Sequence, residues 1–272
     1  MSSVAAAKQL PAQTGLWDRF VWALIDSWTI AKRNLRHIPR NPELLLDVTV
    51  QPVIFVLLFR YVFGGAINVP GTSYVNYLMA GIFVQTVVFS SLSTGIGLSH
   101  DLKLGLVDRF RSLPMSRVAV LAGRTLTDLL RGILAVVIMT VVGVAVGFRP
   151  DGSVGGWLAA FGLILLFGFA LSWAGVVVGV LMRSPEAVQA AMFVVVFPLT
   201  FASSAFVPTS TMPSWLQSFA ANQPFTLVVN AVRSYILGQP VGSAGWESLI
   251  WGLALVAIFV PLSVILYERK AV

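Results

Sequence analysis

The feature that most constrains the fold is a set of long apolar runs without a charged residue. They cover residues 73–99, 154–182, 187–208 and 248–267. A helix needs about 20 mostly apolar residues to cross a bilayer, and each of these runs can supply them. The sequence therefore predicts a chain whose solvent is largely lipid.

The composition agrees with that prediction. Hydrophobic residues make up 57% of the chain and charged residues only 11%, whereas a soluble domain carries roughly a quarter charged residues. The net charge of +7 would suggest nucleic acid in a soluble protein. Cytoplasmic loops of membrane proteins collect Lys and Arg, however. We therefore expect membrane lipids, and no nucleic acid, as partners.

Two further apolar segments carry charges. Residues 44–65 contain Asp47 and Arg60, and residues 118–148 hold three charges in their first half. The prediction is thus an all-α integral membrane protein with six transmembrane helices, in which residues 1–43 form a cytoplasmic region and 44–272 the transmembrane domain. The predicted spans are about 44–65, 73–99, 118–148, 154–182, 187–208 and 247–267.

The basic residues predict the orientation. With the N-terminus inside, fifteen Lys and Arg residues fall on one side of the membrane, and only Arg149 and Arg233 on the other. Because positive charge marks the cytoplasmic side, both termini are expected in the cytoplasm. The predicted location is the cell membrane (inner or plasma), in which the chain is multi-pass.

Residues 16–38 read as an amphipathic helix before the first span. Its apolar residues recur at steps of three and four, which places them on one helix face: Trp17, Val21, Leu24, Trp28, Ala31 and Leu35. Such a helix suits the inner membrane interface. A helix packed on a partner subunit would have the same pattern, and the two interpretations are compatible.

An external segment, residues 209–245, predicts a second helical feature. Pro213 and Pro224 suit the starts of two short helices, since proline is preorganised for a first turn. After Pro224, an apolar face is formed by Phe225, Val228, Val229, Val232 and Ile236. We expect a re-entrant helical hairpin between the fifth and sixth spans, which is tolerated at membrane depth only when packed against protein.

Several kinds of chemistry are excluded. A P-loop needs a lysine after glycine, and none of the four lysines follows one. The chain has no cysteine and only two histidines, so a transition-metal centre is not expected. The sequence therefore predicts a protein that is not an enzyme and has no catalytic residue, cofactor site or metal site.

Charges inside the spans are functional candidates. Asp128 lies four residues after Arg124 and three before Arg131, so the three can share one helix face. They form either a neutralised cluster or part of a transport site. Arg60 has no acid nearby in sequence, and it either extends to the membrane surface or faces a cavity that an anionic or aromatic substrate enters.

Small-residue spacings occur at residues 143–147 and 175–179, each with glycine at both ends. They permit close approach of two helices. Whether that approach lies within the chain or in a dimer is left open by the pattern.

Three stretches resemble the membrane subunit of a type-2 ABC exporter, particularly the daunorubicin/doxorubicin-resistance permease group. They are NPELLLDVTVQPVIFVLLFRYVFGGAI, VDRFRSLPMSRVAVLAGRTLTDLLR and FVPTSTMPSWLQSFAANQPFTLVVNAVRSYILG. The resemblance implies two membrane subunits, as a homodimer or with a related permease, and two copies of a separate ABC ATPase subunit that binds ATP. It also makes the cytoplasmic loop between the second and third spans a contact for the ATPase. Its candidate coupling residues are Asp108, Arg109, Phe110, Arg111 and Pro114.

The expected function is ATP-driven export of an amphipathic or hydrophobic compound, a drug or a lipid, out of the cytoplasm. An exporter of polysaccharide or glycolipid is one alternative. An ion-coupled secondary transporter is another, but it needs carboxylates near the bilayer centre. Asp128 is the only acid well inside a predicted span, which weakens that alternative.

Overall fold

The structure, a computed structural model, describes residues 42–104 and 117–270. Within these ranges the chain is all α-helical and has no β-strand, as the sequence predicted. A π-helical turn, Phe59–Phe63, extends the first helix. The eight α-helices are α1 (Pro42–Leu58), α2 (Tyr74–Lys103), α3 (Arg117–Ala145), α4 (Val154–Leu181), α5 (Pro185–Phe201), α6 (Ser214–Asn222), α7 (Pro224–Ile236) and α8 (Ala244–Lys270).

Two sets of predictions fall outside the described residues. One is the interfacial helix at 16–38, and the other is the set of coupling residues between 108 and 114. Both remain predictions.

Serine residues determine where three of the long helices begin. The Ser73 hydroxyl accepts a hydrogen bond from the backbone N–H of Asn76 (3.3 Å), and Ser153 and Ser184 make the equivalent contact at the starts of α4 and α5. A serine cap satisfies a backbone donor that has no partner in the first turn. The starts of α2, α4 and α5 therefore lie close to the predicted positions.

Four helices are long and apolar enough to span a membrane: α2, residues Leu121–Ala145 of α3, α4 and α8. Two other apolar segments, Val50–Phe63 and Pro185–Phe201, are shorter. The described residues therefore support four candidate spans, and the prediction of six is not confirmed. The first predicted span, 44–65, corresponds to α1 with its π-helical turn.

The fifth predicted span, 187–208, extends beyond the helix that it contains. Helix α5 has 17 residues and ends at Phe201, so at 1.5 Å per residue it covers roughly 25 Å. The next residues form a buried turn whose backbone is held at the start of α7. The side chain of Gln223, directly before α7, donates to the carbonyl oxygen of Ala202 (2.5 Å), and the N–H of Ser204 donates to the Thr226 hydroxyl (3.2 Å). The predicted span was too long because hydropathy reflects only how apolar the residues are. It contains no information on where the backbone stops forming helical hydrogen bonds.

Helix α2 lies at the centre of the fold and contacts α3, α4, α5 and α7. It meets α4 where glycines let the backbones touch, since a Cβ on Gly95 would lie 2.4 Å from the carbonyl oxygen of Gly175. A Cβ on Gly179 would lie 2.6 Å from the carbonyl oxygen of Gly95. The small-residue spacing at 175–179 thus serves a crossing within the chain.

Helix α8 lies at the edge of the fold and packs on α4 and α7. Its apolar side chains at Leu249, Ile250 and Leu253 are exposed. Helix α8 is long enough to cross a membrane and has an exposed apolar face. Both features are expected of a helix that contacts lipid.

The predicted external helices are present. Helix α6 begins directly after Pro213, and α7 begins at Pro224. The predicted apolar face of α7 is buried in full, from Phe225 to Ile236. Helix α7 packs on α2, α4 and α8, which satisfies the condition for a hairpin at membrane depth; its re-entry into the bilayer stays a prediction.

Candidate functional site

The charged residues of α3 divide between two contacts. Arg124 reaches α2, where its Nη1 atom lies 2.8 Å from Oδ2 of Asp101. Both side chains are about a quarter exposed. The guanidinium also covers Gly97, since a Cβ there would lie 2.5 Å from Nη2 of Arg124. This pair joins the C-terminal end of α2 to the N-terminal part of α3, and Arg124 contacts an acid that sequence reasoning did not select.

Asp128 is buried between α2 and α3, with 6% of its surface exposed. Thr94 donates a hydrogen bond to Oδ2, and Ser93 donates to Oδ1 (3.4 Å). Nη1 of Arg131 lies 3.6 Å from the same Oδ1. A buried carboxylate requires such partners to offset its lost hydration. These contacts support the neutralised-cluster interpretation for Asp128 and Arg131.

Arg131 is the middle residue of α3 and is mostly buried. Its Nε atom is buried and has no hydrogen-bond partner among the described residues. The side chain forms part of the wall of a cavity. Of the candidate charges, Arg131 is therefore the one that lines the cavity and also has a buried, unpartnered nitrogen among the described residues.

The cavity has a volume of about 270 Å³ and lies among α1, α2, α3 and α5. Three aromatic side chains supply apolar wall: Phe55, Phe89 and Phe193. The polar side chains of the wall include Gln51, Gln85, Thr86, Ser93, Arg131 and Gln189. Ligand sites typically combine an apolar lining with a few polar groups. A cavity with both kinds of wall suits an amphipathic molecule.

A chain of phenylalanine rings, the aromatic arch, connects two sides of this cavity. Consecutive ring centroids lie 4.3–6.0 Å apart through Phe55, Phe59, Phe206, Phe201, Phe197 and Phe193. Phe193, Phe197 and Phe201 are spaced four residues apart and share one face of α5, while Phe59 begins the π-helical turn that follows α1. Phe206, in the buried turn after α5, joins the two rows. The arch extends an apolar surface from the cavity toward the side on which α6 and α7 lie.

Arg60 lies in the π-helical turn after α1 and is not part of the cavity wall. Its guanidinium carbon lies 5.8 Å from the centroid of the Tyr61 ring. Its Nε atom has no hydrogen-bond partner in the described parts of the chain. The structure thus separates Arg60 from the cluster on α3.

Arg233 on α7 is a buried cation that sequence reasoning placed among external basic residues. Its three nitrogens donate to the carbonyl oxygens of Tyr77 (3.1 Å) and Ser204 (2.6 Å) and to the Asn230 side chain (2.8 Å). Its guanidinium carbon lies 3.6 Å from the centroid of the Tyr77 ring. The signal was present in the sequence, because Arg233 follows Phe225 and Val229 at steps of four on the buried face.

The long apolar helices and the cavity among them are the features of a multi-pass membrane protein. Residues 26–237 match the ABC-2 type transporter family. The chain belongs to this family, which implies an ABC ATPase subunit as its partner. The resemblance inferred from the three sequence stretches is confirmed.

The most similar relatives include three permeases. The chain is 37% identical, over 84% of its length and 81% of the relative's, to the daunorubicin resistance ABC transporter permease protein DrrB1 of Streptomyces coeruleorubidus. It is 26% identical, over 85% and 84%, to the probable doxorubicin resistance ABC transporter permease protein DrrC of Mycobacterium tuberculosis. It is 24% identical, over 86% and 84%, to the putative transport permease ycf38 of Cyanophora paradoxa. These names agree with the prediction of a transport subunit rather than an enzyme.

Proposed function

We propose that the chain is the transmembrane subunit of an ATP-driven exporter that moves an amphipathic, drug-like compound or lipid out of the cytoplasm. The observation that carries this proposal is the cavity among α1, α2, α3 and α5, whose wall combines aromatic and polar side chains. Relatives named for resistance to daunorubicin and doxorubicin support the drug-like class.

The size of the cavity supports a paired arrangement. Sites for drug-sized ligands are commonly about 300–1,000 Å³, so the cavity of about 270 Å³ holds part of such a molecule. Phe193 and Phe197, on the cavity side of α5, are 47% and 40% exposed. A second membrane subunit, identical or related, would cover this apolar surface and complete the site.

The connection between α2 and α3 supports the coupling step. Residues 105–116 join these two helices directly, and the candidate coupling residues lie within that segment. The Asp101–Arg124 pair and the contacts of Thr94 and Ser93 with Asp128 hold the same two helices together. Movement of the segment by a closing ATPase would therefore shift α2 and α3 as a unit, together with the side chains that these two helices contribute to the cavity wall.

Transport in inside-out membrane vesicles tests this function. Vesicles that contain the chain and its ATPase partner should accumulate doxorubicin when ATP is added, and Arg111→Ala or Pro114→Ala should abolish the accumulation. Arg183→Ala is the matched control, because Arg183 is an exposed cation between α4 and α5, and it should leave accumulation unchanged. Accumulation that needs no ATP and disappears with a protonophore would overturn the proposal.

A further inference from the structure

Arg60 is a cation without a counterion among the described residues. It lies in the π-helical turn after α1, and its side chain is half-buried. The ion pairs in the described ranges join other arginines to acids, at Asp101 and at Asp128. A charge inside an apolar segment is costly unless it reaches water or an opposite charge. Arg60 therefore requires an anionic partner from outside the described part of the chain, or the membrane surface.

The guanidinium group of Arg60 extends toward the C-terminal side of α1. A Cβ on Gly64, four residues later, would lie 3.5 Å from its Nη1 atom. Helical side chains ordinarily lean toward the N-terminus, so this group points in the opposite direction. A long cationic side chain takes such a direction when it reaches from a helix end to the membrane interface.

The position of Arg60 along α1 agrees with that direction. Between Pro42, where α1 begins, and Arg60 the backbone rises by roughly 27 Å at about 1.5 Å per residue. The hydrocarbon core of a bilayer is about 30 Å thick. With Pro42 on the cytoplasmic side, as the distribution of basic residues predicts, the guanidinium lies at the depth of the outer headgroups.

Exposed apolar side chains form a stripe that ends beside Arg60. They recur at helical spacing, which places them on one face of α1 and its π-helical turn, and they are 40–70% exposed. This α1 stripe consists of Val50, Ile54, Leu57, Leu58 and Tyr61. The guanidinium carbon of Arg60 lies 5.8 Å from the centroid of the Tyr61 ring, and tyrosine is enriched at membrane interfaces. The stripe therefore extends from the apolar interior to the headgroup region.

The cation and the α1 stripe together match the outline of one phospholipid. Guanidinium groups bind phosphate through paired, charge-assisted hydrogen bonds, and an apolar stripe suits an acyl chain. A soluble anion would meet the cation but leave the stripe uncovered. A neutral lipid would cover the stripe but leave the charge of Arg60 unpaired.

We propose that Arg60 binds the phosphate group of a phospholipid in the outer leaflet, one acyl chain of which lies along the α1 stripe. This lipid is bound at the surface of the protein and is not the transported compound. The site therefore does not depend on the proposed export function.

Native mass spectrometry of the full chain with its ATPase partner tests the site. The complex is released from nanodiscs that contain phosphatidylglycerol and a diacylglycerol with the same acyl chains. Other basic residues also retain anionic lipid, so the informative quantity is the difference between the wild type and Arg60→Gln. We expect the variant to retain one phosphatidylglycerol fewer per permease chain and the same amount of diacylglycerol. Equal retention of phosphatidylglycerol by the two proteins overturns the proposal.

Two further variants locate the effect in a titration with phosphatidylglycerol. Arg60→Gln should weaken binding at this site about 10- to 100-fold, the value of one hydrogen bond to a charged group. Arg60→Lys keeps the charge but lacks the planar donors, so its affinity should lie between the other two. The matched control is Arg149→Gln, because Arg149 is an exposed arginine on the same predicted side whose Nη1 donates to two backbone carbonyls. An equal loss of lipid in Arg149→Gln would mean a general response to positive charge and would overturn the site.

Inorganic phosphate and the mass of the complex distinguish the other possible partners of Arg60. Millimolar phosphate should leave the retained phosphatidylglycerol unchanged, and displacement of that lipid would assign the site to a soluble anion. Arg60→Gln should also leave the second membrane subunit in the complex. Its release without any change in bound lipid would assign Arg60 to an acid of that subunit. Either result overturns the lipid site.

Discussion

Arg131 and Arg233 are both buried arginines in an apolar protein, but their surroundings differ. Arg131 faces an acid, Asp128, and its Nε atom is without a partner among the described residues. Arg233 has no ion pair within the described ranges, yet every one of its three nitrogens donates a hydrogen bond, and its guanidinium covers the Tyr77 ring. The charge of Arg131 is thus balanced by an acid while one of its nitrogens has no described partner. In Arg233 all three nitrogens donate hydrogen bonds, but no acid among the described residues balances the charge.

The number of engaged nitrogens distinguishes an arginine that stabilises the fold from one that is available to bind a ligand. The guanidinium presents five N–H donors in a fixed planar arrangement, so a group with all its nitrogens engaged holds its neighbours in place. Arg233 connects α7 to α2 and to the turn after α5 in this way. Arg131 has fewer such contacts, because among the described residues its side chain pairs with Asp128 alone and also lines the cavity.

The largest effect that would test this contrast is expected from Arg233→Met. The change leaves the carbonyl oxygens of Tyr77 and Ser204 buried without their donor. An unsatisfied buried acceptor costs about 1–3 kcal/mol, so we expect a loss of roughly 2–6 kcal/mol in the free energy of unfolding from the two carbonyl oxygens. Asn230 keeps a second donor, the Ser204 hydroxyl. Thermal unfolding of the purified chain and its yield in membranes would measure this loss.

A matched control is available on the exposed surface. Arg183→Met removes an arginine whose side chain is exposed between α4 and α5, and it should leave the unfolding midpoint within error of the wild type. If Arg233→Met were equally mild, Arg233 would not be the structural connection that its contacts describe.

The contrast also shows which parts of the structure the sequence could predict. Apolar runs predicted the starts of α2, α4 and α5, and proline predicted those of α6 and α7, since these signals act within a few residues. The early end of α5 could not be predicted, because Ala202 and Ser204 hydrogen-bond to Gln223, directly before α7, and to Thr226 in α7. Partners more than 20 residues away leave no local signal.

For the candidate site the limit is similar. The spacing of Asp128 and Arg131 predicted their proximity, since residues three apart on a helix are neighbours. The contributions of Gln85 and Ser93 depend on how α2 packs against α3. Neither residue belongs to a motif, so sequence reasoning missed both.

The same substitution at both arginines gives the sharpest comparison. Lysine keeps the charge but lacks the planar donor arrangement. Arg233→Lys should lower the free energy of unfolding by about 2–3 kcal/mol, because at least one carbonyl loses its donor. Arg131→Lys should lower it by about 1 kcal/mol or less, because the charge beside Asp128 remains and Nε had no described partner to lose. Equal losses at the two positions would remove the distinction between them.

The smallest effect is expected at the third arginine, Arg124, whose pair with Asp101 is about a quarter exposed on both sides. Ion pairs that reach solvent contribute about 0–1 kcal/mol and are screened by salt. A double-mutant cycle of Arg124→Gln and Asp101→Asn should therefore give a coupling energy of about 1 kcal/mol or less, which declines as the salt concentration rises. A coupling of about 3 kcal/mol that does not respond to salt would instead place this pair with the buried ones. In that event the exposed fraction of an arginine would not predict how much it stabilises this protein. The expected order of stability losses, from Arg233 through Arg131 to Arg124, would then be wrong.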